Sequence, residues 1–320
     1  MALPALAAAG GDVVVVRWLA PLLDLAMAGG EAGWLGRVIA FDRGMAGMLR
    51  AAREVRRGRY AEGLILPPSF SSALIFALAG VPKRRGTPTD GRGLLLTDPV
   101  TWTGDDAAHR AARYMELVTG APPGEPPVPR LPSSEVGDAR WAKLVGGGAG
   151  DLVGVFPGSN ASSRRWEAER YADLVERMAR RGARVVVFGS ASERELTAQV
   201  AGPHALDLGG RTDLPLLAAG LAACRLLVTN DSGPMHLAAA VGTPTVSVQG
   251  AGDPRITGPL GDGHTLIRGA SIPCVPCGKN ECPRSGRGYL LPEAERECLR
   301  LVGVEDVEAI VLRQLDGVTT

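Results

Sequence analysis

Residues Thr229-Asn230-Asp231-Ser232-Gly233-Pro234-Met235-His236 gather a carboxylate, two hydroxyls, an amide and an imidazole in one short stretch. The apolar run Leu226-Leu227-Val228 before it reads as the end of a buried parallel strand. Leu237-Ala238-Ala239-Ala240-Val241 after it reads as a small-residue helix, closed by Gly242 and Pro244. Asp231 or Ser232 suits the cap of that helix, and Pro234 its first turn. A strand, a polar turn and a helix start put free N–H groups and a positive dipole end at one point. The chemistry this favours is the binding of a phosphate or pyrophosphate. An ordinary capped helix in an α/β sheet shares the pattern, so the stretch has to be weighed with its neighbours.

Two further turns follow apolar strands in the same half of the chain. Pro157-Gly158-Ser159-Asn160 follows Leu152–Phe156, and Gly189-Ser190, leading to Glu193, follows Ala183–Phe188. Ligands of doubly wound sheets sit at the carboxyl ends of strands, so all three turns are expected to line one pocket.

The elements that must position these turns alternate. In the first half, Val13–Val16, Arg37–Phe41 and Tyr60–Leu66 read as strands. Trp18–Ala28, a basic amphipathic stretch Gly44–Arg57, Ser71–Ala79 and His109–Val118 read as helices, and Val81–Gly86 as a basic loop. Met1–Ala9 looks like a helix already under way. Gly120–Ser134 is Pro-rich and resembles a linker, and Gly146–Gly150 a loop. This predicts an α/β chain of two domains, residues 1–145 and 146–320, each a parallel sheet with helices on both faces and a cleft between them. In the second half, helices are expected at Trp166–Arg180, Ser192–Val200, Leu214–Ala223 and Glu305–Leu315, with a strand at Thr245–Val248.

With 320 residues the chain can bury two moderate cores, and a net charge of +1 gives no reason to expect nucleic acid as a partner. No apolar run reaches the roughly 20 residues of a membrane span, and the N-terminus lacks a basic n-region and a clear cleavage site. A cytoplasmic location is the expectation. An NAD-dependent oxidoreductase fits poorly, because no Gly-x-Gly-x-x-Gly turn follows a first strand.

Several motifs occur in a fixed order: Phe156-Pro157-Gly158-Ser159, Arg164-Arg165-Trp166, Val187-Phe188-Gly189-Ser190, Leu208-Gly209-Gly210-Arg211-Thr212, the stretch Thr229–Ala240, and Gly242-Thr243-Pro244-Thr245-Val246. Together they resemble glycosyltransferase family 9, the ADP-heptose:lipopolysaccharide heptosyltransferases, whose fold is GT-B with two Rossmann-like domains. In the first half Leu66–Ala73 and Ala79–Leu96 resemble its heptosyltransferase II branch. The resemblance implies inverting, metal-independent transfer of heptose from ADP-heptose to a lipid A–Kdo–heptose type acceptor, at the inner face of the inner membrane. It implies that Ser159 and the turn Asp231, Ser232, Gly233, Pro234 and Met235, through its N–H groups, hold the diphosphate, with Arg164 where the family usually has Lys. Glu193 would accept from the ribose hydroxyls, and Asp231 and His236 would lie at the donor sugar as catalytic candidates. Lys83, Arg84, Arg85 and Arg92 are a candidate acceptor-binding cluster, suited to carboxylates or phosphates. Transfer of another nucleotide-linked sugar, or nucleotide-sugar binding without catalysis, stays open.

The chain departs from the family at its start. Members open with a strand and a loop ending in Gly-Asp, whose Asp is the presumed base, then a helix running into Leu-Pro-Ala-Leu. Here Met1-Ala2-Leu3-Pro4-Ala5-Leu6 comes first, so the first strand and its Asp are expected to be missing, through a start read too far downstream or a truncation. Gly11-Asp12 lies beyond that helix and is not assigned the role. On this reading the chain binds ADP but transfers sugar poorly, since a general base contributes about 10²–10⁴-fold. Cys274, Cys277, Cys282 and Cys298 form a further cluster resembling one in heptosyltransferase II sequences. They could ligate a structural zinc ion as thiolates; free thiols or a disulfide are the alternatives.

Overall fold

The computed structural model describes residues 11–28, 35–102, 108–121, 124–132, 134–146, 151–269, 272–284 and 295–317. The helix expected at Met1–Ala9, and most of the Gly146–Gly150 loop, lie outside them. The chain divides into two compact units, Met1–Pro127 and Val128–Thr320. The helix Glu135–Val145, which follows the Pro-rich stretch, therefore goes with the second unit rather than the first.

In the first unit the elements are β1 (Gly11–Val16), α1 (Ala20–Ala28), β2 (Leu35–Phe41), α2 (Met45–Gly58), β3 (Glu62–Ile65), α3 (Phe70–Ala79), β4 (Lys83–Gly86), β5 (Asp98–Pro99) and α4 (Arg110–Thr119). The described strands form two parallel sheets, β1-β2 and β3-β4-β5, rather than one. Helix α2 turns Ala51, Ala52 and Val55 inward, where they pack with Ile39, Ile75, Ala79 and Val81. Residues 83–86, expected in a loop, are a strand: Glu62 to Ile65 pair with Lys83 to Gly86 in register. Sequence periodicity hides this strand because it has no apolar alternation; its neighbours supply the order.

The second unit holds α5 (Glu135–Val145), β6 (Leu152–Phe156), α6 (Ala168–Arg180), β7 (Arg184–Gly189), α7 (Arg194–Ala201), β8 (Leu206–Gly209), α8 (Leu214–Ala222), β9 (Leu226–Asn230), α9 (Gly233–Ala240), β10 (Thr245–Gln249), α10 (Pro254–Thr257), β11 (His264–Arg268), α11 (Glu297–Arg300) and α12 (Val304–Leu315). Its six strands run parallel in the order β11-β10-β9-β6-β7-β8. Strand β11 was not anticipated, being polar and half-exposed beside β10. Strands β6, β7, β9 and β10 are buried along nearly their whole length because both faces are covered. On one face Val153, Val155, Val187, Val228, Val246 and Val248 meet Tyr171, Leu174 and Met178 of α6 and Val307 and Val311 of α12. The spacing of the buried residues on α6, at 171, 174, 175 and 178, is the helical i, i+3, i+4, i+7 pattern. On α8, Gly220 gives room to Trp141 of α5, whose ring an added Cβ would meet at 2.6 Å.

The chain enters this sheet at its centre with β6, winds to β8 on one side, then returns to β9 and winds to β11 on the other. The reversal between β6 and β9 opens a crevice at the carboxyl ends of those strands, the place where such sheets receive ligands.

Candidate functional site

Four turns of the second unit stand at strand ends around that reversal: residues 157–160 after β6, 190–193 after β7, 231–232 after β9 and 250–253 after β10. Asn230, the last residue of β9, joins the first of these turns to the third and is fully buried. Its Oδ1 accepts from the Trp166 N–H at 3.0 Å and the Tyr171 hydroxyl at 3.0 Å, and its Nδ2 donates to the Pro157 carbonyl at 2.7 Å. Thr229 adds a hydroxyl donated to the Phe156 carbonyl. The Trp166 and Tyr171 rings meet edge to face at 4.9 Å, which anchors the chain leaving the first turn. Burial raises the Tyr171 hydroxyl pKa well above its ordinary value.

Arg164 and Asp231 form the charged centre. Arg164 Nη1 lies 3.3 Å from Asp231 Oδ2, with the carboxylate almost entirely buried. The Nε of Arg164 is buried without a hydrogen-bond partner. A guanidinium held by one carboxylate, with a donor left over, is equipped to take an anion as a second partner. Gly252 faces the same carboxylate: a Cβ there would sit 2.1 Å from Asp231 Oδ2. Only glycine lets the turn after β10 approach so closely.

Glu193 is likewise seated by a glycine. Its Oε2 accepts from the Ser190 N–H at 2.8 Å and the Ser190 hydroxyl at 2.6 Å, closing a capping box. Its other oxygen lies against Gly158, where a Cβ would approach Oε1 to 1.9 Å. A carboxylate thus spans the turns after β6 and β7. Ser159 is buried, its hydroxyl accepting from the Ala161 N–H and its carbonyl from Arg165 Nε.

The α9 turn differs from its expectation in detail. Ser232 is the N-cap residue, yet its side chain makes no capping bond, and the Asp231 side chain turns to Arg164 instead. Pro234 has no N–H, and the Met235 N–H is taken by the Ser232 carbonyl at 3.1 Å with its side chain fully buried. Of the five expected donors of this turn, Pro234 and Met235 therefore drop out. Open space surrounds Gly233. His236 is half-buried in the first turn of α9.

Most of the cluster expected to bind an acceptor is engaged within its own unit, and only Lys83 of the four is exposed. Arg92 is fully buried; its guanidinium donates to the carbonyls of Thr87 and Pro67 and to the hydroxyls of Thr87 and Ser72. Arg84 donates to the carbonyls of Leu95 and Val81 at 2.6 Å each. Arg85 holds the Leu117 carbonyl and Asp98, and Lys83 pairs with Glu62 and Asp98. Acceptors both near and distant in the chain engage these cations, and adjacency in the sequence does not reveal it.

Cys274, Cys277, Cys282 and Cys298 do converge, lining one cavity with Ser163 and Arg296. All five cysteines are free thiols, which corrects the disulfide alternative. Among the described residues no group of three His, Cys, Asp or Glu side chains stands so as to hold a metal ion, so the zinc reading is not carried further. Cys298 is shifted up by burial and by its three neighbours, and burial pushes the isolated Cys224 thiol up to about 12. What the segment does is brace the site. The carbonyls of Lys279 and Asn280 receive the hydroxyl and N–H of Ser163, and the Ala251 carbonyl receives the Gly278 N–H. The residue next to Arg164 and the turn next to Gly252 are thereby tied together. Asp12, whose place in the sequence argues against a base role, is the second residue of β1 and is engaged by Arg37 and the Tyr60 hydroxyl.

Residues 48–286 match glycosyltransferase family 9 (heptosyltransferase). Lipopolysaccharide heptosyltransferase 2 of Salmonella typhimurium is 31% identical over 236 residues, 68% of this chain and 68% of that protein. The structure of Escherichia coli ADP-heptose lps heptosyltransferase II superimposes with a TM-score of 0.71 at 27% identity, over 96% of this chain and 89% of that one. A glycosyl transferase of family 9 from Veillonella parvula superimposes with a TM-score of 0.72 at 19% identity, over 96% and 97%, which speaks to the fold alone.

Proposed function

We propose, from the premise that this chain belongs to glycosyltransferase family 9 and has its GT-B fold, that it transfers heptose from ADP-heptose to the inner core of lipopolysaccharide. The observation that carries the reading is the Arg164–Asp231 pair at the sheet reversal, with a spare buried guanidinium donor beside the α9 turn. Arg164, Ser159 and the N–H groups of residues 231–233 take the diphosphate and hold its charge as the bond from the anomeric carbon to phosphate oxygen breaks. The electron pair leaves on ADP. Fixed donors aimed at a developing phosphate charge do the work that a cation would otherwise do, so the transfer is metal-independent.

Glu193 accepts from the ribose hydroxyls. Asp231, freed from part of its pairing when the diphosphate engages Arg164, faces the donor sugar with His236. The acceptor hydroxyl attacks from the opposite side and gives its proton up to water as the new bond forms, which inverts the anomeric carbon. The reaction takes place at the cytoplasmic face of the inner membrane, and among the described residues no helix is long and apolar enough to cross it.

The test is a transfer assay with ADP-heptose and a heptose-terminated Kdo–lipid A acceptor, with ADP-glucose and UDP-linked sugars as controls. Heptosylated product from ADP-heptose alone supports the reading. Turnover of a different nucleotide sugar in preference to ADP-heptose overturns it.

A further inference from the structure

Helix α2 carries a positive charge that its surroundings balance only in part. Its buried side is Gly47, Ala51, Ala52 and Val55. The opposite side bears Arg50, Arg53, Arg56 and Arg57, flanked along the chain by Arg43 and Arg59, and all six are exposed. Arg50 pairs with Asp42, at 3.7 Å, and Arg57 with Glu54. Arg43, Arg53, Arg56 and Arg59 have no ion-pair partner among the described residues. Helix α6 shows how arginines on another helix of this protein are otherwise met. There Arg170 pairs with Glu167, Arg177 with Asp173, Glu305 and Glu308, and Arg180 with Glu176.

Large apolar side chains lie in the same face of α2. Met45 is 60% exposed, and Leu49, one turn on, is exposed too. At i, i+4, i+8 and i+11, Met45, Leu49, Arg53 and Arg56 form a single stripe. Trp18, 55% exposed, belongs to the same end of the unit: its neighbour Arg17 and Arg50 of the helix share Asp42. Arginines that lie over an apolar stripe, with an indole alongside, match a surface that is anionic outside and hydrocarbon just beneath. A soluble phosphorylated sugar needs the cations but has no use for exposed Met, Leu and Trp.

We infer that the exposed face of α2, with Trp18, is the surface by which this protein docks on an anionic lipid bilayer. The inference deepens the proposed function, since it rests on an acceptor that is itself lipid-borne. The helix lies on the headgroups, Met45, Leu49 and Trp18 enter the acyl boundary, and the unpaired arginines bind lipid phosphates.

The experiment is co-sedimentation of the whole chain with vesicles of phosphatidylglycerol and phosphatidylcholine in equal parts, against phosphatidylcholine alone. Binding to the anionic vesicles is expected to be at least about tenfold tighter and to weaken with salt, each cation counting for about fivefold. Arg53→Glu with Arg56→Glu should lower it more than about tenfold. Met45→Ser with Leu49→Ser should lower what survives at high salt. Calorimetric ADP affinity should stay unchanged in both double variants, which separates a lost surface from a lost fold. Equal binding to both vesicle types, or variants that bind like the parent, overturns the inference. So does complete displacement from vesicles by a soluble delipidated core oligosaccharide, which would assign the face to the sugar. Vesicle binding by a chain that fails to bind ADP would leave the docking surface standing and count against the proposed donor site instead.

Discussion

Two regions of this molecule concentrate arginine near polar turns, and they use it in opposite ways. In the first unit, residues 83–92 hold four cations whose guanidinium and ammonium groups are consumed by backbone carbonyls, Glu62 and Asp98. In the second, Arg164 has one carboxylate partner and a buried Nε left over, beside turns held apart by glycines. A satisfied buried cation stabilises; a cation held by one carboxylate can exchange part of that contact for a ligand. Density of positive charge along the chain does not distinguish the two, whereas the inventory of acceptors around each head group does.

The largest expected effect concerns the frame of the second region. Asn230→Ala removes three hydrogen bonds and leaves buried donors on Trp166 and Tyr171 unmet, so the second unit should lose about 3–5 kcal/mol in urea unfolding. A loss below 1 kcal/mol would show that the turns are held by something else. Arg92→Met should cost the first unit about 3 kcal/mol by orphaning the carbonyls of Thr87 and Pro67, with ADP affinity unchanged. If ADP or acceptor affinity falls while stability holds, the contrast between the two regions is broken.

Arg164→Met should weaken ADP by about 10- to 100-fold and, because it takes the guanidinium from the buried Asp231 carboxylate, should also cost the second unit about 3 kcal/mol in unfolding. Gly252→Ala should cost about 1–2 kcal/mol of donor affinity, because its Cβ displaces the Asp231 carboxylate, and the sugar-bearing donor should suffer more than ADP. Equal losses for both ligands would move Asp231 away from the sugar.

The smallest effect is a pH dependence. Burial depresses the His264 pKa below its ordinary 6.5, so folding favours the neutral ring. The unfolded chain takes up the proton first as pH falls. The contribution is therefore intact above pH 6.5 and lost as pH falls through the lowered pKa. A His264→Gln variant should flatten that slope in acid unfolding; an unchanged slope would assign it to other groups.

Much of the second unit could be read from its residues. Strands buried on both faces are continuous apolar runs, and the turns at their ends announce themselves through Gly, Pro and Ser. Arg164, Ser159, Glu193 and Asp231 all stand around one sheet reversal for that reason. What escaped the reading has partners that sequence cannot pair. Asn230 looks like one polar residue among several until Trp166, Tyr171 and Pro157 surround it. Asp231 reads as a helix cap because its counterion, Arg164, lies in a distant turn. Gly252 reads as a loop residue because its constraint is the carboxylate opposite. Strand β4 reads as a basic loop because its order comes from β3 and β5, and Arg92 reads as exposed because its acceptors come from the loop after β3 and from Thr87. The cysteines were legible as a cluster, and their bracing of the Arg164 turn was not.

The most direct test of the donor site is calorimetric titration of the whole chain with ADP and with ADP-heptose, repeated on Arg164→Met. The account requires saturable binding of both, a gain in affinity from the sugar, and a loss of about 10- to 100-fold for both ligands in the variant. Absence of ADP binding by a chain that unfolds cooperatively, or binding untouched by Arg164→Met, would contradict it.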